Sequence, residues 1–493
     1  MKIIRMFLPA LLALCVAACT KPTQQSLSDG EKTYLYANTF ASNSMRLYYL
    51  WNQEIKAALD GWKTTEEPVA KVEKVRYKDA SGKDIDRWTM LTDDFSSFYG
   101  SVSGNGKTYG FDFVLCYYDS SRTSLCAVVT YTYPGSPAAE AGLKRGDVIC
   151  QVNGRSIPAK DYSAIVNDEL LGGDKLTAGL LGGKTLVLES RVMYENPVLL
   201  SKVFDCGKKK VGYLVYTSFT LDSYRDLIDA CTAFKEQGVS ELILDLRYNG
   251  GGFALAEQFL ASMLAPQAVV DARSVLATEV YNDTMTEYYI SKGYDFKTYF
   301  KTDFQFTTDD GKKYSFSTAG ANPDLHKLYA IISSGSASAS EALLCDLYPY
   351  MDVTLVGTKT HGKYCSGILL KAEKFYIDYA DQLGADFAEE GGQYTRNWGL
   401  YVMLSRFADK DGKTRCMPDG LAPDHEIEDD PLDGFDLGDP DETMLAGTLS
   451  LCGYNNPSPA ARRSARPAPV LEKVDAEPVR PTFGRRIILP AGL

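Results

Sequence analysis

Histidine is scarce in this 493-residue chain, which has three, and no two of its 11 cysteines form a Cys-x-x-Cys pair. Imidazole and thiolate are the usual ligands of tight transition-metal sites, so the sequence has little from which to build one. Basic charge is short as well: 52 Lys+Arg stand against 64 Asp+Glu, a net charge of -12. A surface that grips phosphate backbones needs the opposite balance, which argues against nucleic acid as a partner. Beyond the first residues, no uninterrupted apolar run reaches the roughly eighteen residues of a membrane-spanning helix. What remains is an ordinary globular composition, 45% hydrophobic and 24% charged. Its length suggests roughly two to four domains. Peptides, sugars and small molecules stay open as substrates.

The first nineteen residues read as a leader rather than as fold. Lys2 and Arg5 precede an apolar run from Met6 to Val16, which is too short to span a bilayer. The run closes on Val16-Ala17-Ala18-Cys19. This resembles the bacterial lipobox, which implies lipidation at Cys19, a membrane anchor, and an extracytoplasmic position in the periplasm or on the outer membrane. An ordinary secretory cleavage site beside an incidental cysteine is the alternative. The two basic residues are not adjacent, so there is no twin-arginine signal. Nine cysteines then remain, an odd number that does not read as a disulfide framework.

Residues 20–100 read as a polar tether followed by an N-terminal helical domain, with an aromatic stripe (Tyr36, Phe40, Met45, Tyr48, Trp51) suited to a packed helix face. From Tyr109 the texture changes to short β runs. Gly135-Ser136-Pro137-Ala138-Ala139-Glu140-Ala141-Gly142-Leu143 predicts a turn, a short helix with proline near its start, and a glycine stop. Lys144-Arg145-Gly146-Asp147-Val148-Ile149-Cys150-Gln151-Val152-Asn153-Gly154 predicts a tight turn and a strand that ends at Asn-Gly. Together these strings resemble a PDZ domain, spanning about 101–195. That resemblance implies a sheet edge that takes up an extended peptide, with the peptide carboxylate meeting backbone amides around Tyr109, Gly110, Phe111, Asp112 and Phe113.

Residues 200–452 read as an α/β core, with an insertion of aromatic strands around 270–325 that carries no evident role. Leu242 to Arg247 is a buried strand opening into Tyr248-Asn249-Gly250-Gly251-Gly252, and Leu328 to Ile332 is a strand running into Ser333-Ser334-Gly335-Ser336-Ala337-Ser338-Ala339-Ser340-Glu341. Small residues at such a strand-to-helix turn allow close approach to a substrate and leave helix N-terminal amides beside a hydroxyl. A serine-rich N-cap is the plain alternative. The next strand leads to Gly357-Thr358-Lys359-Thr360-His361-Gly362-Lys363, which brings a lysine toward the serine turn. A lysine serves as general base only when burial moves it toward neutrality. After Leu451 a Pro-, Arg- and Ala-rich stretch (453–493) has little periodicity and predicts a disordered or loosely packed tail.

These strings, in this order, resemble the C-terminal (tail-specific) processing peptidases, PDZ-containing serine peptidases with a Ser/Lys dyad. The resemblance implies an α/β multidomain fold and a peptidase that needs no cofactor, with Ser338 as nucleophile and Lys363, twenty-five residues on, as general base. The Ala339 amide and a glycine amide at Gly251 or Gly252 become the oxyanion donors, and Ser336 and Ser340 become turn serines. Met417 to Asp424 resembles a further segment of the family core. Two positions depart from the family pattern. His361 stands where phenylalanine is common, and Gly367 where a glutamine orients the lysine, so the group orienting Lys363 is left open. Two other functions compete with this reading. A non-catalytic peptide-binding PDZ lipoprotein is one. A Ser/His esterase using His425 is the other, but it requires Gly-x-Ser-x-Gly, and that pattern begun at Gly335 puts Ala337 at the nucleophile.

Overall fold

The computed structural model describes residues 27–308, 311–455 and 471–474, together with the backbone of 486–488. The leader and Cys19 lie outside the described residues, as do 20–26 of the tether and most of the tail. No described helix is long and apolar enough to cross a membrane.

The chain is a multidomain α/β protein, as the sequence predicts. Helix α1 (Asp29–Tyr48) starts at Ser28, which forms a capping box with Glu31. Its buried face carries Tyr36, Phe40 and Met45. This face packs onto the α/β core: the Tyr376 hydroxyl donates to the Tyr36 carbonyl (2.7 Å), and Leu50 N–H donates to the Met403 carbonyl (2.8 Å). The N-terminal helices thus contribute to the largest apolar cluster of the molecule.

A small β domain follows with its own core, built on Leu115, Val129, Ile149, Val152 and Leu176 among others. Strand β1 (Phe111–Tyr117) pairs antiparallel with β2 (Ser124–Thr132), which pairs with β3 (Val148–Val152). The local predictions hold here: Ser136 caps the helix Pro137–Glu140, Gly142 has φ 80°, and Asn153 and Gly154 turn at positive φ.

The second half is built on a sheet of β4 (Val198–Cys206), β5 (Lys209–Tyr216), β6 (Val239–Asp245), β9 (Lys327–Ile332), β10 (Asp352–Gly357) and β13 (His425–Glu426), in that order across the sheet. From β5 onward the strands are parallel. Helices such as α2 (Tyr224–Glu236) cover it, so both faces are dry; this is why β6 and β9 are nearly continuous apolar runs rather than alternating ones. A second sheet runs from the short β7 (Gly251–Phe253), which leads into α3 (Ala254–Leu264), to β11 (Cys365–Lys371), β12 (Gly399–Asp409) and β8 (Val275–Tyr281). Helix α4 (Ala339–Leu347) is buried along its whole length against α3 and β12. The insertion supplies β8 and an aromatic hairpin in which Phe304 stacks on Phe316 at 5.2 Å.

Within the tail, Glu472–Lys473 (β14) pairs antiparallel with Tyr117 and Cys116 of β1. Arg486–Ile488 (β15) pairs parallel with Gly251–Phe253 and meets Gly367 of β11. The nine described cysteines are all free thiols.

Candidate active site

Three loops meet where the parallel strands β6, β9 and β10 end, the carboxyl edge at which open α/β sheets hold their sites. Strand β9 feeds the turn that ends at Ser338, the residue before α4. Ser338 has φ 60° and ψ -112°, left-handed backbone that costs a non-glycine residue of order 1–3 kcal/mol unless its surroundings impose it. The surroundings do. Glu341, one turn into α4, is fully buried, and its two carboxylate oxygens accept four hydrogen bonds. One oxygen takes Ser338 N–H (2.9 Å) and Lys363 N–H (2.9 Å). The other takes Thr360 Oγ1–H (2.6 Å) and Gly362 N–H (2.7 Å). Burial pushes this carboxyl up from its ordinary range, and the same four donors pull against that. A single side chain thereby ties the serine turn to the lysine loop.

Asn249 makes the equivalent tie to the glycine loop. Its side-chain oxygen accepts Gly251 N–H (2.9 Å), and its carbonyl accepts Ala337 N–H (3.2 Å) and Ser340 Oγ–H (2.9 Å). Ser336 Oγ donates to the Leu246 carbonyl at 2.8 Å. The three serines therefore separate by geometry: Ser336 and Ser340 spend their hydroxyls on the neighbouring loop, while Ser338 Oγ lies 3.2 Å from Lys363 Nζ. Ser338, Ala339 and Lys363 are all fully buried.

Lys363 Nζ has two further polar contacts, the Cys365 carbonyl at 2.9 Å and the Tyr401 hydroxyl at 3.3 Å, and it lies 5.3 Å from the Trp88 ring centroid. The lysine loop is clamped from below by Leu421, whose N–H donates to Thr360 Oγ1 (2.7 Å). This places the Met417 to Asp424 segment directly under the loop. His361 points away from the serine: its ring meets Trp88 edge-on, and its Nε2 lies 3.2 Å from an Arg87 guanidinium nitrogen. His425 is exposed in β13 beside Val356. No hydrogen bond joins it to Ser338 among the described residues.

Gly251 and Gly252, the two glycine-amide candidates, differ in availability because the Gly251 amide is already donated to Asn249. Both have φ values closed to other residues in practice, 108° and 147°. At Gly252 a Cβ would lie 2.3 Å from the Phe219 carbonyl oxygen.

In the β domain, Tyr109 and Gly110 lead into β1, and Phe111, Asp112 and Phe113 are its first residues. Gly110 has φ 77°, and a Cβ there would fall 2.2 Å from that of Ser136. Two of these residues' amides are engaged internally, Gly110 N–H with Thr108 Oγ1 (2.9 Å) and Phe113 N–H with Asp112 Oδ1 (2.9 Å). Farther along β1, Val474 N–H donates to the Leu115 carbonyl (3.0 Å) and an Arg122–Glu472 pair closes the contact.

A buried ion cluster joins the β domain to the glycine loop. Arg145 donates to the Thr130 carbonyl (3.0 Å), the Tyr248 hydroxyl (2.7 Å) and Asp429 (3.0 Å). Arg247 lies between Asp245, Asp429 (2.9 Å) and Glu442 (2.6 Å). Burial alone would raise the Asp429 carboxyl, but Arg247 and Arg145 override it and hold the group at about 2. A second acidic group of opposite character is formed by Glu257 of α3, Glu279 of β8 and Asp346 of α4. Burial, with Glu279 adding to it, raises Glu257 to about 8. Burial also raises Glu279 to about 7 and Asp346 well above its usual range. No cluster of metal-binding side chains occurs among the described residues.

A serine turn and a lysine loop thus meet at the carboxyl edge of a parallel sheet, in a chain that also carries a small β domain. Residues 210–427 match the model of peptidase family S41, and residues 128–167 match that of the PDZ domain. The chain thus carries an S41 peptidase match and a PDZ match, and it is similar to C-terminal-processing proteases. It is 29% identical over 268 residues to a probable CtpA-like serine protease of Staphylococcus aureus, covering 54% of this chain and 46% of that protein. It is 27% identical over 240 residues to a carboxyl-terminal-processing protease of Synechocystis sp., covering 46% and 47%. The match thus spans about half the length of these curated relatives. Among solved structures, a putative S41 protease from Bacteroides fragilis superposes with a TM-score of 0.60 at 26% identity, over 83% of this chain and 96% of the other.

Proposed function

We propose that the protein is a serine endopeptidase that cleaves extended peptides or unfolded protein segments outside the cytoplasm, with Ser338 as nucleophile and Lys363 as general base. The observation that carries this is the 3.2 Å approach of Lys363 Nζ to Ser338 Oγ within a buried site, with Ser338 held at strained φ. In the proposed reaction the neutral amine of Lys363 accepts the Ser338 hydroxyl proton as Oγ bonds to the scissile carbonyl carbon. The carbonyl π pair moves onto oxygen, where the amides of Ala339 and Gly252 receive it. Collapse expels the peptide amine, which takes the proton from the Lys363 ammonium. Water, deprotonated by the same lysine, then releases the acyl group and frees Ser338. No metal or organic cofactor enters these steps. Gly252 is preferred to Gly251 because the Gly251 amide is already committed to Asn249.

The PDZ domain docks the substrate in this reading, as a strand added to β1 with its carboxylate toward Tyr109–Phe113. An incoming strand competes there with Glu472–Lys473, and its carboxylate competes with Asp112 for the Phe113 amide. A lipid at Cys19 holds the enzyme to the membrane. The test is hydrolysis of casein by the purified chain beside Ser338→Ala, Lys363→Ala and His425→Ala. The first two are expected to lose activity by on the order of 10⁴-fold or more, and the third to keep it. Activity that requires His425 and survives Lys363→Ala would establish the esterase-like alternative. Peptide binding with no turnover in any form would establish a binding protein.

A further inference from the structure

We infer that Tyr401 is the positioning residue of the catalytic base, and that Gly367 is glycine so that the Tyr401 hydroxyl can reach it. This deepens the reading above and rests on it. A lysine amine hangs on four methylenes and holds no direction by itself, so a base that must meet one hydroxyl needs its other tetrahedral directions occupied. Among the described residues, Lys363 Nζ has polar neighbours at Ser338 Oγ (3.2 Å), the Cys365 carbonyl (2.9 Å) and Tyr401 Oη (3.3 Å). A neutral amine has two N–H donors and one lone pair. With the N–H groups on Cys365 and Tyr401, the lone pair is left for Ser338. After proton transfer the three N–H groups of the ammonium meet the same three oxygens, so no heavy atom has to move.

The Tyr401 ring is placed from the neighbouring strand. On β11 and β12, Leu369 faces Tyr401 and Gly367 faces Met403, with a register shift between Ser366 and Gly367. The ring is 1% exposed, with the Phe98 ring 6.4 Å away. It lies over Gly367: a Cβ there would come within 2.5 Å of ring atoms Cε2 and Cζ and within 2.8 Å of Met403 Cε. Separations that short do not occur, and a packed ring has nowhere to retreat. Gly367 does not adopt positive φ, so the demand for glycine is the space under the tyrosine and not the backbone. The two residues form a matched pair, an empty position on β11 and a hydroxyl delivered across it from β12.

The test uses the full chain with ¹³C-labelled lysine, following the Lys363 ε-carbon through a pH titration by NMR and assigning it with Lys363→Arg. Tyr401→Phe keeps the ring and removes only the hydroxyl, a contact that favours the charged amine. The Lys363 midpoint is expected to fall, and the acidic limb of kcat/KM to move to lower pH with it. Turnover is expected to drop roughly 10- to 100-fold with KM little changed, the scale of one hydrogen bond to a charged group. A merely structural role would lower thermal stability and leave the midpoint in place. Gly367→Gln alone is expected to be inactive because its side chain meets the ring. Gly367→Gln with Tyr401→Ala is expected to recover activity over Tyr401→Ala, the amide taking the place of the hydroxyl. An unshifted Lys363 midpoint in Tyr401→Phe overturns the inference, whatever the turnover. If Lys363→Ala retains activity, the general-base reading itself fails. If Lys363→Ala is inactive and Tyr401→Phe matches the parent in midpoint and rate, only the role of Tyr401 fails.

Discussion

Two groups of buried acids in this fold solve the same problem in opposite ways. Asp245, Asp429 and Glu442 surround the guanidinium of Arg247, with Arg145 adding a second cation from the PDZ side. There Asp429 stays ionised down to about 2. Glu257, Glu279 and Asp346 have no basic side chain in ion-pair contact among the described residues, and burial raises all three, Glu257 to about 8, Glu279 to about 7 and Asp346 well above its usual range. Among the described residues, Glu257 Oε1, Glu279 Oε2 and Asp346 Oδ1 lack a hydrogen-bond partner. Burial is nearly equal in the two groups, so the presence of a cation decides which acids carry charge. The first group anchors the loop leading to Gly252 and ties it to the PDZ domain. The second meets β11, where Ser366 Oγ donates to Glu279 at 3.2 Å.

Removing Arg247 should move the first group toward the second, with Arg145 left as its remaining cation. Arg247→Met leaves three buried carboxylates around an apolar side chain. It is expected to cost about 3–5 kcal/mol of stability in urea unfolding, with loss of activity because the glycine loop follows directly. A smaller effect separates the two groups on the acid side. Asp429 has its folded-state value below its unfolded one, so its contribution is present above about pH 4 and is lost as pH falls through about 2. Asp429→Asn is therefore expected to be less stable than the parent near neutrality by roughly 2 kcal/mol, and to match it by pH 2. The second group runs the other way. Glu257 has its folded value raised to about 8, so the folded state retains a proton that the unfolded chain has released, and stability declines as pH rises from about 4.5 toward 8. Glu257→Gln keeps the shape of the protonated acid without the titration. It is expected to gain on the order of 1–2 kcal/mol at pH 8 and little at pH 5, read as the difference in Tm between the two pH values. Equal gains at both would mean that Glu257 is already ionised in the fold.

Much of the architecture could be read from residue order because its signals are local. β6 and β9 announce themselves as apolar runs of strand length, and Ser136, Pro137 and Gly142 mark a short capped helix. The serine turn was visible as small residues between a strand and an apolar helix. The groups that shape the site were not. Tyr401 is one aromatic in a strand of buried residues, thirty-eight positions from the lysine it touches. Asn249, Thr360 and Glu341 read as ordinary turn and cap residues. Glu341 closes the serine string, and its spacing from Ser338 is the local hint of its role. The missing glutamine at 367 was legible as an absence; what fills it was not.

By itself the sequence determined the elements and their order: the capped helices, the PDZ string, the parallel strands, and the serine, glycine and lysine turns at their ends. These follow from side-chain periodicity and from the conformations open to glycine, proline and serine, which act within a few residues. The tertiary structure alone decided that Ser338 rather than Ser336 or Ser340 faces Lys363. It also decided that Glu341 binds both loops, that Tyr401 lies over Gly367, and that Arg247 rather than a lone carboxyl sets the charge behind the glycine loop. Hydrogen-bond geometry, steric exclusion and desolvation depend on which atoms meet across tens to hundreds of residues, and that information exists only once the sheets have closed around α4.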